Sequence, residues 1–164
     1  MKKENVIKTC YSVLRKQTPL DIDCGKLCDG RCCKGDEKTG MILFPGEENL
    51  IDSNINVIKD ENGLTFAVCD GSCDRNKRPL SCRIFPVFPV LKNEGGKDCI
   101  DVEFDLRADC PLLLGEIKLD RRFCKAVKRV GKYLLLNEET AKTYRYICDE
   151  INDIKVFENL IKKF

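Results

Sequence analysis

Residues 69–91 read CDGSCDRNKRPLSCRIFPVFPVL. Cys69, Cys73 and Cys82 lead here into an apolar stretch broken by proline. Asp70-Gly71 supplies a turn between the first two sulfurs. Pro79 suits the first position of a short helix carrying Cys82, where a missing N–H costs little. Val87 to Leu91 then reads as a strand, and Pro86 and Pro89 make it an edge, because proline cannot donate to a ladder. Its partner is Cys99 to Phe104, reached through Asn93-Glu94-Gly95-Gly96.

Working outward, Ile55 to Lys59 and Leu64 to Val68 flank Asp60-Glu61-Asn62-Gly63, where Asn-Gly is a hairpin signal. The second of these strands delivers the chain to Cys69. Met41 to Phe44 reads as a further strand, broken by Pro45-Gly46, and Glu47 to Leu50 as a helical turn. Residues 4–16 place Val6, Ile7, Cys10, Val13 and Leu14 at helical spacing, and Pro19 ends that helix. Cys10 falls on the apolar stripe and reads as a core residue. Leu119 to Leu136 is a long amphipathic helix. Asn137 before Glu138 and Glu139 caps another, to about Ile151, and a last short helix ends at Phe164. The expected fold is α+β: small antiparallel β-hairpins, a cysteine-rich metal-binding loop and a C-terminal helical segment. Residues 1–164 are expected to form one domain, divided into a cysteine-cluster region (1–111) and the helical segment (112–164).

A second sulfur-rich stretch lies upstream. Residues 23–35 read DCGKLCDGRCCKG and hold Cys24, Cys28, Cys32 and Cys33. Gly25, Gly30 and Gly35 interleave with them and permit tight turns around a centre. Four thiolates can surround zinc tetrahedrally, or each can bind one iron of a cubane cluster. Adjacent side chains diverge, so either one of Cys32 and Cys33 faces the site squarely or the pair serves two centres. Cys24, Cys28, Cys32, Cys33, Cys69, Cys73 and Cys82 are therefore the candidate ligands, and they outnumber the needs of one closed site.

Composition narrows the chemistry. The chain has 164 residues, 12 cysteines and no histidine. Without histidine there is no mixed Cys/His zinc site, no imidazole base and no Cys–His catalytic pair. The start, MKKENVIKTCYSVLRKQ, has no signal-peptide pattern, and no run approaches the roughly 20 apolar residues of a membrane span. A cytoplasmic, reducing setting is expected, where cysteines are thiols or ligands rather than disulfides. Lys+Arg of 29 against Asp+Glu of 27 gives no electrostatic case for nucleic acid or an anionic membrane. The protein partner, if there is one, is unspecified.

Charge around the cysteines is more telling. Lys26, Arg31, Lys34, Arg75, Lys77, Arg78 and Arg83 flank them. Zinc or an oxidised four-iron cluster held by four thiolates carries a formal double negative charge. Arg78 and Arg83 are the residues expected to compensate it, by lowering thiol pKa and hydrogen-bonding to sulfur. Seven unliganded thiols in two short stretches would be an oxidation hazard without packing benefit. Cys99, Cys110, Cys124 and Cys148 lack ligand spacing and read as buried filler, with Cys110, before Pro111, placed to reach the site.

DCGKLCDGRCC followed by RPLSCRIFP resembles the YkgJ-like cysteine-cluster proteins, described as zinc- or iron-chelating domains with a CxxCxxCC signature. The family's second hallmark, R-P-x-x-C-R-x-F/Y-P, is matched by Arg78, Pro79, Cys82, Arg83, Phe85 and Pro86. The spacing differs, with three residues rather than two between Cys24 and Cys28 and between Cys28 and Cys32. The resemblance covers about half the chain and implies metal binding through thiolates. The C-terminal third carries none of it.

The expected function is a metal-binding protein holding zinc or an iron–sulfur cluster, such as 4Fe-4S, through thiolates from two segments. One alternative is an iron–sulfur enzyme related to flagellin lysine N-methylase, which has a similar cluster, although this chain is short for that enzyme's other parts. Another is a zinc-stabilised interaction module with the helical segment as partner surface. A phosphate-binding glycine loop and a nucleophile elbow are absent from the sequence. Asp101, Glu103 and Asp105 alternate as an exposed strand face would.

Overall fold

A computed structural model describes residues 1–22, 29–33, 40–69, 71, 73–107, 110–113 and 118–162. Helix α1, Lys3–Leu14, buries Val6, Ile7, Cys10 and Leu14, one stripe at three- and four-residue spacing. Strands β1 (Met41–Ile42), β2 (Asn56–Lys59) and β3 (Thr65–Val68) form an antiparallel sheet in the order β1-β3-β2. The β2–β3 hairpin pairs Asn56 with Val68 and Lys59 with Thr65. Its turn is local chemistry: the Asp60 carboxylate accepts from the Asn62 and Leu64 N–H groups at 3.0 and 2.7 Å. Gly63 takes the left-handed conformation there, at φ 78°.

A short helix, α2 (Leu80–Ile84), leads into the hairpin of β4 (Val87–Glu94) and β5 (Lys97–Phe104). Their register runs from Val87 opposite Phe104 to Glu94 opposite Lys97. The hairpin is longer than the sequence suggested, because Lys92, Asn93 and Glu94 extend β4 and Lys97 and Asp98 extend β5 up to the Gly95-Gly96 turn. Both glycines have positive φ, 59° and 82°, as a tight hairpin turn requires. β4 pairs with β5 alone among the described residues, which leaves Pro89 in an edge strand as expected.

Helix α3 (Arg121–Leu134) starts on Asp120, whose side chain accepts from the Arg122 and Phe123 N–H groups. Helix α4 (Glu138–Ile161) starts on Asn137, which accepts from Glu139 and Thr140. Glu138 and Glu139 in its first turn suit the positive end of the helix dipole. The sequence suggested a break near Ile151, but α4 continues to Ile161. The buried stripe ends at Ile151, while nothing in Asn152-Asp153 stops a helix; Val156, Phe157, Leu160 and Ile161 are exposed beyond it.

The main core gathers Val6, Ile7 and Leu14 from α1, Leu80 and Ile84 from α2, and Val87, Phe88 and Val90 from β4. It continues through Phe123, Val127, Val130 and Leu134 of α3 to Tyr144, Ile147 and Ile151 of α4. Gly131 sits where α3 crosses the hairpin. A Cβ there would meet Pro89 Cβ at 2.9 Å, Ile100 Cγ2 at 3.1 Å and the Tyr144 hydroxyl at 3.1 Å. This glycine is set by close approach.

The face of β5 bearing Asp101, Glu103 and Asp105 is less exposed than its alternation implied. Asp101 pairs with Lys128 of α3 at 2.8 Å and with Lys92 at 3.3 Å. Glu103 pairs with Lys92 at 2.7 Å and contacts Lys155 of α4. Asp105 is buried and bound to Arg107 at 2.7 Å. Helices lie over that face, so an alternation of charge here marks ion pairs. The architecture is α+β, with small antiparallel sheets and a helical C-terminal segment. Among the described residues no helix is long and apolar enough to cross a membrane.

Candidate metal centre

The RPLSCR segment builds its own geometry. Pro79 sets extended backbone at φ −52° and ψ 150°, and α2 begins at Leu80. Arg83, one turn later, folds back: its Nε donates to the Arg78 carbonyl at 2.7 Å, and its Nη2 to the Asn76 carbonyl at 2.6 Å. Those carbonyls end a single 3-10 turn, Arg75–Lys77. One arginine thus braces the turn that precedes its own helix. The same turn is anchored from outside by Asp52, whose carboxylate accepts from the Asp74 N–H at 2.8 Å. The Asp52 N–H donates to the Lys77 carbonyl at 3.0 Å.

Behind α2 lies Glu47, with 0% of its surface exposed. Its carboxylate accepts from the Leu80 N–H at 2.6 Å, the Phe44 N–H at 2.7 Å and the Tyr11 hydroxyl at 2.7 Å. Burial raises the Glu47 pKa to about 7, against the pull of those donors and of the Arg83 charge. The Arg83 guanidinium stacks on the Tyr11 ring, 4.0 Å from its centroid. Burial above all lowers the Arg83 pKa; the Arg78 and Arg75 charges add to this, while Tyr11 and Glu47 act the other way. Burial, with the Glu47 charge behind it, pushes the Tyr11 phenol well above its ordinary range.

On the outer side of this layer is a cleft of about 70 Å³. Cys32, on the 3-10 turn Arg31–Cys33, and Cys82, on α2, both line it, together with Arg78 and Arg83. The first cysteine stretch and the second therefore meet at one place. Arg78 also reaches the other sulfur group, its Nε lying 3.5 Å from Cys73 Sγ. Cys73 and Cys69 are half-buried against Leu43, Ile55 and Ala67, the last of these on β3. Cys32 packs in addition against Phe85, Cys110 and Leu112.

Of the predicted ligands, Cys32 and Cys82 line one cleft, Cys69 and Cys73 pack against the Leu43, Ile55 and Ala67 cluster, and Arg78 of the cleft reaches Cys73. Cys24, Cys28 and the Cys33 side chain lie outside the described residues. Among the described residues no group of three or more Cys, Asp or Glu side chains is gathered closely enough to hold a metal ion. As a donor set, two sulfurs beside two arginines fit a thiophilic metal in kind, and further ligands are needed to close a tetrahedral site. The remaining cysteines divide by burial. Cys10 and Cys148 are in the core, with the Cys10 thiol pushed up to about 12 by burial, while Cys99 and Cys124 are half-buried. Cys110, expected as buried filler within reach of the site, is buried, in the cluster against which Cys32 packs.

Sequence reasoning missed Glu47, Tyr11 and Asp52, which hold the cysteine-bearing turn and helix from behind. Each depends on partners far along the chain, and a single acid or phenol carries no local signal of that. No family model, curated protein or solved structure matches the chain.

Proposed function

We propose that this chain is a metal-binding protein of the YkgJ-like cysteine-cluster type, holding zinc or an iron–sulfur cluster through thiolates from two segments. The observation that carries the reading is the shared cleft. Cys32 and Cys82 belong to different cysteine stretches, yet they line one small space with Arg78 and Arg83. In this reading the thiols of the Cys24–Cys33 stretch complete the set with Cys82, and Cys69 and Cys73 serve the same centre or a second one. Arg78 and Arg83 offset the negative charge of the thiolates and hold them ionised. Zinc there would lock the two segments together, whereas a cluster would also carry an electron.

Anaerobic purification with elemental analysis, sulfide assay and a visible spectrum tests this. A brown protein with bound iron and sulfide supports the cluster, and a colourless one with stoichiometric zinc supports the structural centre. A protein that keeps neither metal under those conditions overturns the reading.

One observation favours a second reading, a zinc-stabilised interaction module. Val156, Phe157, Leu160 and Ile161 expose an apolar side of α4 beyond the core. This reading predicts zinc together with retention of a partner on that helix end.

A further inference from the structure

Helix α3 carries its charge differently from the other long helices. Its exposed residues are Arg121, Arg122, Lys125, Lys128, Arg129 and Lys132, and every one is a cation. Arg121–Leu134 contains no Asp or Glu, and the acid at its boundary, Asp120, is spent on the N-cap and on Arg122. Helices α1 and α4 mix the two signs, as solvated faces do. Glu4 accompanies Lys3 and Lys8 on α1, and Asp149 and Asp153 accompany Lys142 and Arg145 on α4. The balance of the whole chain, 29 basic against 27 acidic residues, therefore conceals a local excess.

The helical period gathers these cations. Arg121, Lys125, Arg129 and Lys132 fall in a stripe about 80° wide and about 16 Å long. Arg122 and Lys128 flank it, and both have carboxylate partners, Asp120 at 3.0 Å and Asp101 at 2.8 Å. The four residues of the stripe make no ion pair among the described residues. Phe123, Val127, Val130 and Leu134, on the opposite face, are buried in the core, so the stripe stands outward on a fixed element. The arrangement works against the helix. Like charges four residues apart repel, as in Arg121 with Lys125, Lys125 with Arg129 and Lys128 with Lys132. Arg121 and Arg122, in the first turn, also oppose the positive end of the helix dipole.

We propose that the exposed face of α3 docks on the phosphate backbone of duplex DNA, through Arg121, Lys125, Arg129 and Lys132 and without reading sequence. The composition of the face selects this occupant. The centre of a protein interface needs apolar side chains and is poor in lysine, whereas α3 exposes no apolar residue. A helix lying on a membrane needs an apolar side to bury there, and the apolar side of α3 is taken by the core. Single strands bind by stacking bases on aromatic rings, and this face exposes none. A duplex offers about one negative charge per 1.7 Å of its axis, so charge and counterion release are enough to bind it. The inference uses no cysteine and is independent of the metal-centre reading.

The test is fluorescence anisotropy of a labelled DNA duplex of about 20 base pairs, titrated with the full chain, as purified anaerobically, between about 50 and 200 mM KCl. The affinity should fall linearly with salt on a double-logarithmic plot, with a slope of about −3 to −4, as four neutralised phosphates imply. Arg129→Gln combined with Lys132→Gln should bring the slope to about −2 and weaken binding about tenfold or more at the lowest salt. Arg121→Gln combined with Lys125→Gln should do the same. Lys142→Gln combined with Arg145→Gln removes equal charge from α4 and should leave slope and affinity unchanged. The two stripe variants should melt no lower than the wild type, because they relieve repulsion along the helix, so their lost binding is not lost folding. Absence of salt-dependent binding overturns the proposal, as does an equal loss in the α4 variant, which would reduce the effect to net charge. Vesicles of phosphatidylcholine with phosphatidylserine are titrated in parallel. Stripe-dependent binding to them without binding to the duplex would make the face a membrane surface and would also overturn it.

Discussion

The Arg83 guanidinium lies over the Tyr11 ring at 4.0 Å, and the Tyr11 hydroxyl in turn donates to the buried Glu47 at 2.7 Å. A cation at the cysteine cleft is thereby tied through an aromatic ring to a carboxylate in the core. That carboxylate holds the first N–H of the helix bearing Cys82.

Glu47 should make stability depend on pH near neutrality. Burial raises its pKa from 4.5 to about 7, so the folded chain binds the proton more tightly than the unfolded one. Its favourable contribution is complete below pH 4.5 and is lost as pH rises through about 7. Thermal unfolding should therefore show a fall in stability between pH 5 and pH 8 that Glu47→Gln abolishes. Glu47→Ala strands the Phe44 and Leu80 N–H groups and should cost about 2–4 kcal/mol. An unchanged pH profile in Glu47→Gln would assign the titration to another group.

Substitution of cysteines should separate ligands from filler. Cys28→Ser, Cys32→Ser and Cys82→Ser are each expected to lower bound metal, read by elemental analysis. Cys148→Ser should leave metal content unchanged and cost about 1–2 kcal/mol, because it buries a hydroxyl among Tyr144, Ile147 and Ile151. Equal metal loss in Cys148→Ser would refute the division.

Gly131→Ala should destabilise, although alanine favours a helix by about 1 kcal/mol. The added methyl would meet Pro89 Cβ at 2.9 Å, and overpacking of this kind costs about 1–3 kcal/mol. Denaturant unfolding would measure the balance, and a stabilised variant would show that the hairpin can move off α3.

Asp101 should contribute to acid sensitivity. The hydrogen bond from Lys128 is the main reason its pKa falls to about 2. A lowered carboxyl pKa stabilises the fold above its ordinary value of 3.8, and that contribution disappears as pH drops through about 2. The pair is well exposed, so Lys128→Met should cost only about 0.5 kcal/mol at pH 7 and less at pH 2. Parallel unfolding curves at the two pH values would check it.

The parts legible in the sequence were those written in neighbouring residues. Asn62-Gly63 and Gly95-Gly96 announce hairpins because the required backbone conformations are local, and Asn137 announces a helix start for the same reason. The stripe of α1 shows through its period. The continuation of α4 did not, since its apolar side chains beyond Ile151 turn away from the buried stripe and imitate a separate element. Asp105 misled because strand alternation tells which residues share a face, and not what covers it. The cysteine stretches pointed to sulfur chemistry, and their meeting through Cys32 and Cys82 needed the fold. Glu47 was invisible, since its burial comes from Tyr11 and Leu80, both distant in sequence.

The three donors gathered on Glu47 have a kinetic consequence. The Phe44 and Leu80 amide protons can reach water only when α1, the segment after β1 and α2 part together, because one fully enclosed carboxylate holds all three. Deuterium uptake at those two amides should therefore be among the slowest in the chain and should report the concerted opening of the whole body rather than local fraying.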